Sequence, residues 1–146
     1  MSYNSLNYHI VYAVKDRRPL LDDEIMKRLG EYSAGIIRNL KGQLFIANGP
    51  PNHIHLAVSI HPEISMMDFV RTLKTNSSRW IHQTFPDLKD FAWQDGYSAF
   101  TVSHSVCAKV IEYIRGQQEH HKKQTFEEEL AALLQKHDVK FDPQYL

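Results

Sequence analysis

The chain has 146 residues, 42% of them hydrophobic, and 17 Lys plus Arg balance 17 Asp plus Glu; that is enough for one core, without the overall basic excess of many nucleic-acid binders. No run approaches the roughly 18 apolar residues of a membrane span, and the opening Met1-Ser2-Tyr3-Asn4-Ser5-Leu6 lacks the regions of a secretory signal, so the expected location is the cytoplasm. The lone Cys107 excludes an intramolecular disulfide and a cysteine-based zinc site.

In chain order, Tyr8 to Val14 is β-branched and aromatic and predicts a strand, ended by Lys15 to Arg18 and Pro19. Asp22 or Asp23 caps a helix in which Ile25, Met26, Leu29, Tyr32, Ile36, Ile37 and Leu40 recur at helical spacing, stopping near Gly42. Gln43 to Ala47 and His53 to Ile60 read as two strands joined through Asn48-Gly49-Pro50-Pro51-Asn52. Ser65 caps a second helix that Pro86 closes. Tyr97 to Val102 is a fourth strand, and Ser103 or Ser105 opens a helix through Val106, Val110, Ile111 and Ile114. A further short helix spans Phe126 to Lys136. The order β-α-β-β-α-β-α predicts an α+β, ferredoxin-like βαββαβ antiparallel sheet with helices on one face and an additional C-terminal helix. The whole of 1–146 is expected to be one domain, with a core of about residues 5–123 and a helical appendage of about 124–146.

The chemistry gathers at two places. In His53-Ile54-His55 a strand sends both imidazoles to one face, about 6.6 Å apart along the chain, close enough to converge on one metal ion. Tyr113 and Gln117 lie four apart on a helix, about 6 Å along its axis and on one face. A tyrosine can attack a phosphodiester and keep its bond energy in a covalent intermediate, while a metal polarises a phosphate oxygen. Taken singly, each feature is ordinary: His-x-His also occurs as half-exposed strand decoration, and Tyr113 fits the apolar stripe of its helix. Together they form a constellation. Gly116, between Tyr113 and Gln117, costs a helix about 1 kcal/mol relative to alanine and marks a place where the helix can loosen.

These features occur with Tyr8-His9-Ile10-Val11, Lys15 and Arg17-Arg18-Pro19, Pro51-Asn52-His53-Ile54-His55-Leu56, Leu73-Lys74, Ser77-Ser78-Arg79-Trp80, Trp93-Gln94-Asp95-Gly96-Tyr97, and Tyr113-Ile114-Arg115 with His120 and His121. In that order, from Tyr8 to about His121, the chain resembles the single-tyrosine HUH transposases of the insertion-sequence 200/605 type. It departs in having Asn52 where relatives often carry Asp, and Ala13-Val14 where a Thr commonly precedes the Lys.

The resemblance implies a transposase that cleaves and rejoins single-stranded DNA at mobile-element ends through a 5′-phosphotyrosine. Tyr113 is then the nucleophile, and His53, His55 and Gln117 the ligands of a divalent metal, Mg2+ or Mn2+. It also implies DNA hairpins near the element ends as the recognition feature, and a homodimer in which the tyrosine helix can complete the partner's active site. Lys15, Arg17, Arg18, Lys74, Arg79 and Arg115 are candidate phosphate contacts, and Trp80 and Trp93 candidate stacking surfaces. Two other readings of the same residues are a binding module that keeps the fold without turnover, and a metal-dependent hydrolase. The second is poor, since Leu56 and Ala57 follow His55 where further ligands would be needed.

Overall fold

The computed structural model describes residues 1–146. Four strands, β1 (Asn7–Ala13), β2 (Gln43–Asn48), β3 (His53–Ser59) and β4 (Ser98–Val102), form one sheet in the order β2-β3-β1-β4, with antiparallel neighbours. With helices α1 (Asp23–Asn39) and α2 (Met66–Thr84) as the crossovers, this is the ferredoxin-like α+β arrangement. The caps are as anticipated: Asp22 accepts from Ile25 N–H and Ser65 from Asp68 N–H, each satisfying an amide that the first turn leaves unpaired.

The strand pleat divides the side chains. Ile10 and Tyr12 on β1 and Ile54, Leu56 and Val58 on β3 face α1 and α2, where they join Leu29, Ile37, Phe69, Leu73 and Ile81 in the main core. His9, Val11 and Ala13 on β1, with His53 and His55 on β3, fall on the other face, and the register sets Val11 opposite His55 and Ala13 opposite His53.

That second face is covered too, which differs from the expectation of helices on one side only. Helix α3 (Cys107–Arg115) packs against β2 and β3. Helix α5 (Phe126–Lys136) lays Phe126, Leu130 and Leu134 on Val11, Ala13 and Phe100, so the segment after residue 124 forms a small core of its own with the sheet. The reason is in its sequence: Phe126, Leu130, Leu133 and Leu134 make an apolar stripe, and Thr125 with Glu128 supplies a complete capping box. No helix is long and apolar enough to cross a membrane.

Candidate active site

The β2–β3 turn delivers His53 and His55. Gly49 lies so close to this strand that a Cβ there would collide with the His53 carbonyl oxygen, so the turn folds flat against the strand that carries the histidines. Both imidazoles are fully buried, their Nε2 atoms 3.1 Å apart; neither is surface decoration. His53 Nδ1 lies 2.7 Å from Asn52 Oδ1. A carboxamide oxygen only accepts, so the His53 ring proton belongs on Nδ1 and its Nε2 lone pair points into the site. His55 Nδ1 is paired with Nε2 of buried His9 at 2.8 Å, an arrangement that likewise turns His55 Nε2 inward. Burial, with the neighbouring His55, lowers His9 to about 3; burial lowers His53 to about 4 and His55 in the same direction. These rings are therefore neutral, as metal ligation requires.

The helical half comes from α3 and the single turn α4 (Gln117–His120), which meet at Gly116. The expected continuous tyrosine helix is thus two pieces: Gly116 (φ −88°, ψ 16°) caps the first and starts the second. Likewise, Ser103 caps only a 3-10 turn, His104–Val106, without a side-chain bond, and the α-helix begins at Cys107. The break does not separate Tyr113 from Gln117, because hydrogen bonds donated by Gly116 N–H to Glu112 O (3.1 Å) and by His120 N–H to Gly116 O (3.0 Å) carry the helical path across it. From β2, Asn48 Nδ2 donates to the carbonyls of Ile114 (3.0 Å) and Arg115 (3.1 Å) and to Gln118 Oε1 (2.8 Å), while Gln118 Nε2 donates back to Asn48 Oδ1 at 2.7 Å. The junction is thereby clamped to the sheet.

Between the two halves sits Glu129 of α5, 1% exposed. Its Oε1 lies 3.0 Å from His53 Nε2, 3.0 Å from His55 Nε2 and 2.9 Å from His121 Nε2. Its Oε2 accepts from Gln117 Nε2 at 2.8 Å and from the Tyr113 hydroxyl. Burial pushes the Glu129 carboxyl up, but the imidazoles around it, His121 first, outweigh that and hold it far below the usual carboxylate range. Burial and the Glu129 carboxylate push the Tyr113 phenol above its ordinary value.

Sequence reasoning does not place His9 or Glu129 in the site; His121, legible there only as a group that orients the site or contacts phosphate or as an exposed helix-end histidine, meets Glu129. Glu129 did leave a signal: it interrupts the apolar stripe, three residues after Phe126 and one before Leu130, and a carboxylate on a buried helix face needs partners. His9 shares with His53 and His55 the parity of one sheet face, which only the strand register reveals.

The donor set suits a divalent cation. His53, His55, His121 and Glu129 bring their ligand atoms within 4.8 Å of one another. His53 Nε2 presents a lone pair to a carboxylate oxygen 3.0 Å away, two electron-rich atoms that a cation between them would reconcile. Gln117 Oε1 is buried without a hydrogen-bond partner, an orphaned acceptor on the residue assigned as third ligand. Imidazole, carboxylate and amide oxygens together accommodate several divalent ions.

The proposed phosphate contacts scatter. Lys15 is exposed beside the strand end. Arg17 pairs with Glu127 and lies over the Phe126 ring, Arg18 pairs with Asp90 at 3.0 Å, and Arg115 pairs with Glu112 on its own helix. Lys74 and exposed Arg79 belong to α2, on the far face of the sheet from the histidines. The Lys74 ammonium donates to the Gln94 carbonyl at 2.8 Å and to that of Gly96. Trp93 is a core residue whose Nε1 donates to buried Ser77 Oγ at 3.0 Å. Trp80 is half-buried and stacks on Tyr32, ring centres 4.8 Å apart.

With this geometry in hand, the chain compares closely with known proteins. The family described as "Transposase IS200 like" matches residues 2–117. The chain is 30% identical over 117 residues to the ISDra2 transposase TnpA of Deinococcus radiodurans, covering 77% of this chain and 84% of that one. It is 32% identical over 121 residues to the transposase for insertion sequence element IS200 of Salmonella typhimurium, covering 79% and 78%. Among solved structures, a protein assigned as a transposase in Deinococcus radiodurans superposes with a TM-score of 0.65 at 29% identity, over 80% of this chain and 95% of that one. A REP-associated tyrosine transposase bound to a REP hairpin superposes at 0.61 and 15% identity, over 83% and 74%, which bears on the fold alone. A ferredoxin-like sheet carrying paired buried histidines opposite a helical tyrosine, matched over most of its length, places this chain in the IS200-like transposase family.

Proposed function

We propose that the chain cleaves and rejoins single-stranded DNA at the ends of a mobile element, with Tyr113 as the nucleophile. One observation carries this reading: the Tyr113 hydroxyl and the Nε2 atoms of His53 and His55 converge on the same small volume, marked by the two oxygens of Glu129. A phosphodiester placed there lies within reach of the phenol and of a metal on the histidines.

In the step proposed, Tyr113 Oη attacks phosphorus, the bond from phosphorus to the 3′ oxygen breaks, and the phenolic proton is lost as the leaving oxygen becomes a 3′-hydroxyl. The product is a 5′-phosphotyrosine that a second 3′-hydroxyl reverses, transferring the strand. His53 and His55, with Gln117 through its unpartnered Oε1, would hold a divalent metal, Mg2+ or Mn2+, which when bound supplies charge stabilisation at a non-bridging phosphate oxygen. Asn52 and His9 orient the two imidazoles from behind. The partners are single-stranded DNA with hairpins near its ends, a choice supported by the relative bound to a REP hairpin, and a second copy of the chain that can exchange tyrosine helices.

The test is a covalent adduct. Wild-type protein with Mn2+ and single-stranded DNA carrying the element's ends should give a protein–DNA species stable on a denaturing gel, absent with EDTA and absent in Tyr113→Phe. An adduct that survives Tyr113→Phe overturns the nucleophile. No adduct from the wild type with cognate ends favours a binding module of the same fold.

A further inference from the structure

Every polar group of the site turns toward an acceptor that the chemistry above does not use. The Gln117 N–H and the nucleophilic hydroxyl donate to the carboxylate of Glu129, and the Nε2 atoms of His53, His55 and His121 lie 2.9 to 3.0 Å from it. To such a cradle a carboxylate and a phosphodiester are alike, each presenting two oxygens that share one negative charge. Resting on the transposase reading, the geometry points to a double assignment: the groups around Glu129 are the seat of the scissile phosphate, with His121 one of its contacts, and Glu129 fills that seat until DNA displaces α5.

Occupancy is exclusive. A phosphate within reach of Tyr113 and of a metal on His53 and His55 needs both the volume that Glu129 takes and the place its oxygen would hold beside that metal, so Glu129 is a placeholder there, and two anions do not share a buried site at low cost. While Glu129 accepts the Tyr113 hydroxyl, that hydroxyl is turned away from any other target.

Helix α5 rests on a cluster of 6 buried residues, against 17 in the main core. Its anchors Phe126, Leu130 and Leu134 retain 6%, 9% and 8% exposure, whereas Ile54, Leu56 and Leu73 in the main core have none. It hangs from α4 by the short turn 121–125, and its loss would leave the main core between the sheet, α1 and α2 in place. Between α3 and α5 a cleft of about 540 Å³ is lined by Tyr113, Glu129, Lys109 and Lys136 among others, so the nucleophile shares it with two ammonium side chains. The family match ends at Gln117, so His121 and Glu129 lie in a segment beyond it.

The test uses the full chain saturated with Mn2+ and a fluorescein-labelled single-stranded 20-nucleotide oligothymidine, read by anisotropy, with hydrogen exchange of residues 126–136 followed in parallel. Glu129→Ala should bind about tenfold tighter than the parent, and Leu130→Ala, which loosens α5 without touching the donors, should shift the same way by less. Adding His121→Ala to Glu129→Ala should take back part of the gain, and in the parent the α5 amides should lose protection as oligothymidine saturates. The proposal is overturned if neither Glu129→Ala nor Leu130→Ala binds tighter, if α5 stays protected in the saturated complex, or if no variant binds oligothymidine at all. It is equally overturned if Glu129→Ala and Leu130→Ala both lose the element-end adduct, for Glu129 would then be a working member of the site. The transposase reading stands or falls separately, on the Tyr113-dependent adduct of the parent chain.

Discussion

Asn52 Oδ1 meets His53 Nδ1 at 2.7 Å, and this contact decides which nitrogen of His53 looks into the site. Because the amide oxygen has no proton to give, it selects the tautomer with a free Nε2. Asn52→Ala should weaken Mn2+ binding by about tenfold or more, while Asn52→Asp, which still accepts from Nδ1–H, should retain it. Calorimetric titration with Mn2+ distinguishes the two; equal affinity in Asn52→Ala and the parent would remove Asn52 from the site.

Metal removal gives a second expectation. EDTA should abolish the Tyr113 adduct and excess Mn2+ should restore it. His55→Ala should lose the adduct even at high Mn2+, whereas Gln117→Ala, which keeps both imidazoles, should regain activity as Mn2+ is raised. Loss of activity in Gln117→Ala at every metal concentration would assign Gln117 a different task.

Gly116 permits a sharp experiment. A Cβ there would meet its nearest neighbours, His120 Nε2 and Glu112 O, at 3.6 and 3.7 Å, ordinary contact at an unstrained φ. Gly116→Ala should therefore fold normally and gain helix stability of up to about 1 kcal/mol. Its effect should fall on strand transfer rather than on first cleavage, because a stiffer junction hinders the move of Tyr113 between strand ends. Cleavage and transfer both at parental rates would show that the junction is not a hinge.

Acid should destabilise the metal-free protein early. His9 and His53 are held neutral, at about 3 and about 4, against an unfolded value near 6.5. The unfolded chain takes up those protons first, so stability is full above pH 6.5 and declines as pH falls toward 4, by at most about 1.4 kcal/mol per pH unit for each histidine. Glu129, held low in the folded chain, adds to the loss below the usual carboxylate range. Urea midpoints in EDTA at pH 7.5, 6 and 5 should fall in that order; a flat series would mean these imidazoles are charged or exposed in solution.

On the far face of the sheet, Lys74 and Ser77 should matter for stability rather than for DNA. Ser77→Ala leaves the buried Trp93 N–H without its acceptor and should cost about 1–3 kcal/mol. Lys74→Ala removes the ties to the Gln94 and Gly96 carbonyls and should lower the melting temperature, leaving oligonucleotide affinity close to parental. A large loss of affinity with unchanged melting would return Lys74 to the phosphate contacts.

The elements were legible from sequence because each was announced by local chemistry: the Asp22 and Ser65 caps, the period of two through His53-Ile54-His55, and the helical stripes of α1, α2 and α5. Tyr113 and Gln117 were legible as a pair because a four-residue spacing survives even a break at Gly116. What stayed hidden was non-local. That His9 backs His55 depends on strand register, and that Glu129 reaches the histidines depends on α5 folding back across the sheet, 74 positions from His55. Glu129 follows Glu127 and Glu128 in an acidic run, and only its place in an apolar stripe sets it apart from them. Lys74 and Trp93 were read as surface chemistry because composition does not say which face of a sheet a helix covers.

The clamp formed by Asn48 and Gln118 has a mechanical consequence. It ties the α3–α4 junction to the rim of the sheet, so this end of the tyrosine helix is a fixed point. Any excursion of Tyr113 is then a swing anchored beside the turn that holds the histidines, and the loop from β2 to β3 serves as bearing for the nucleophile as well as mount for the ligands.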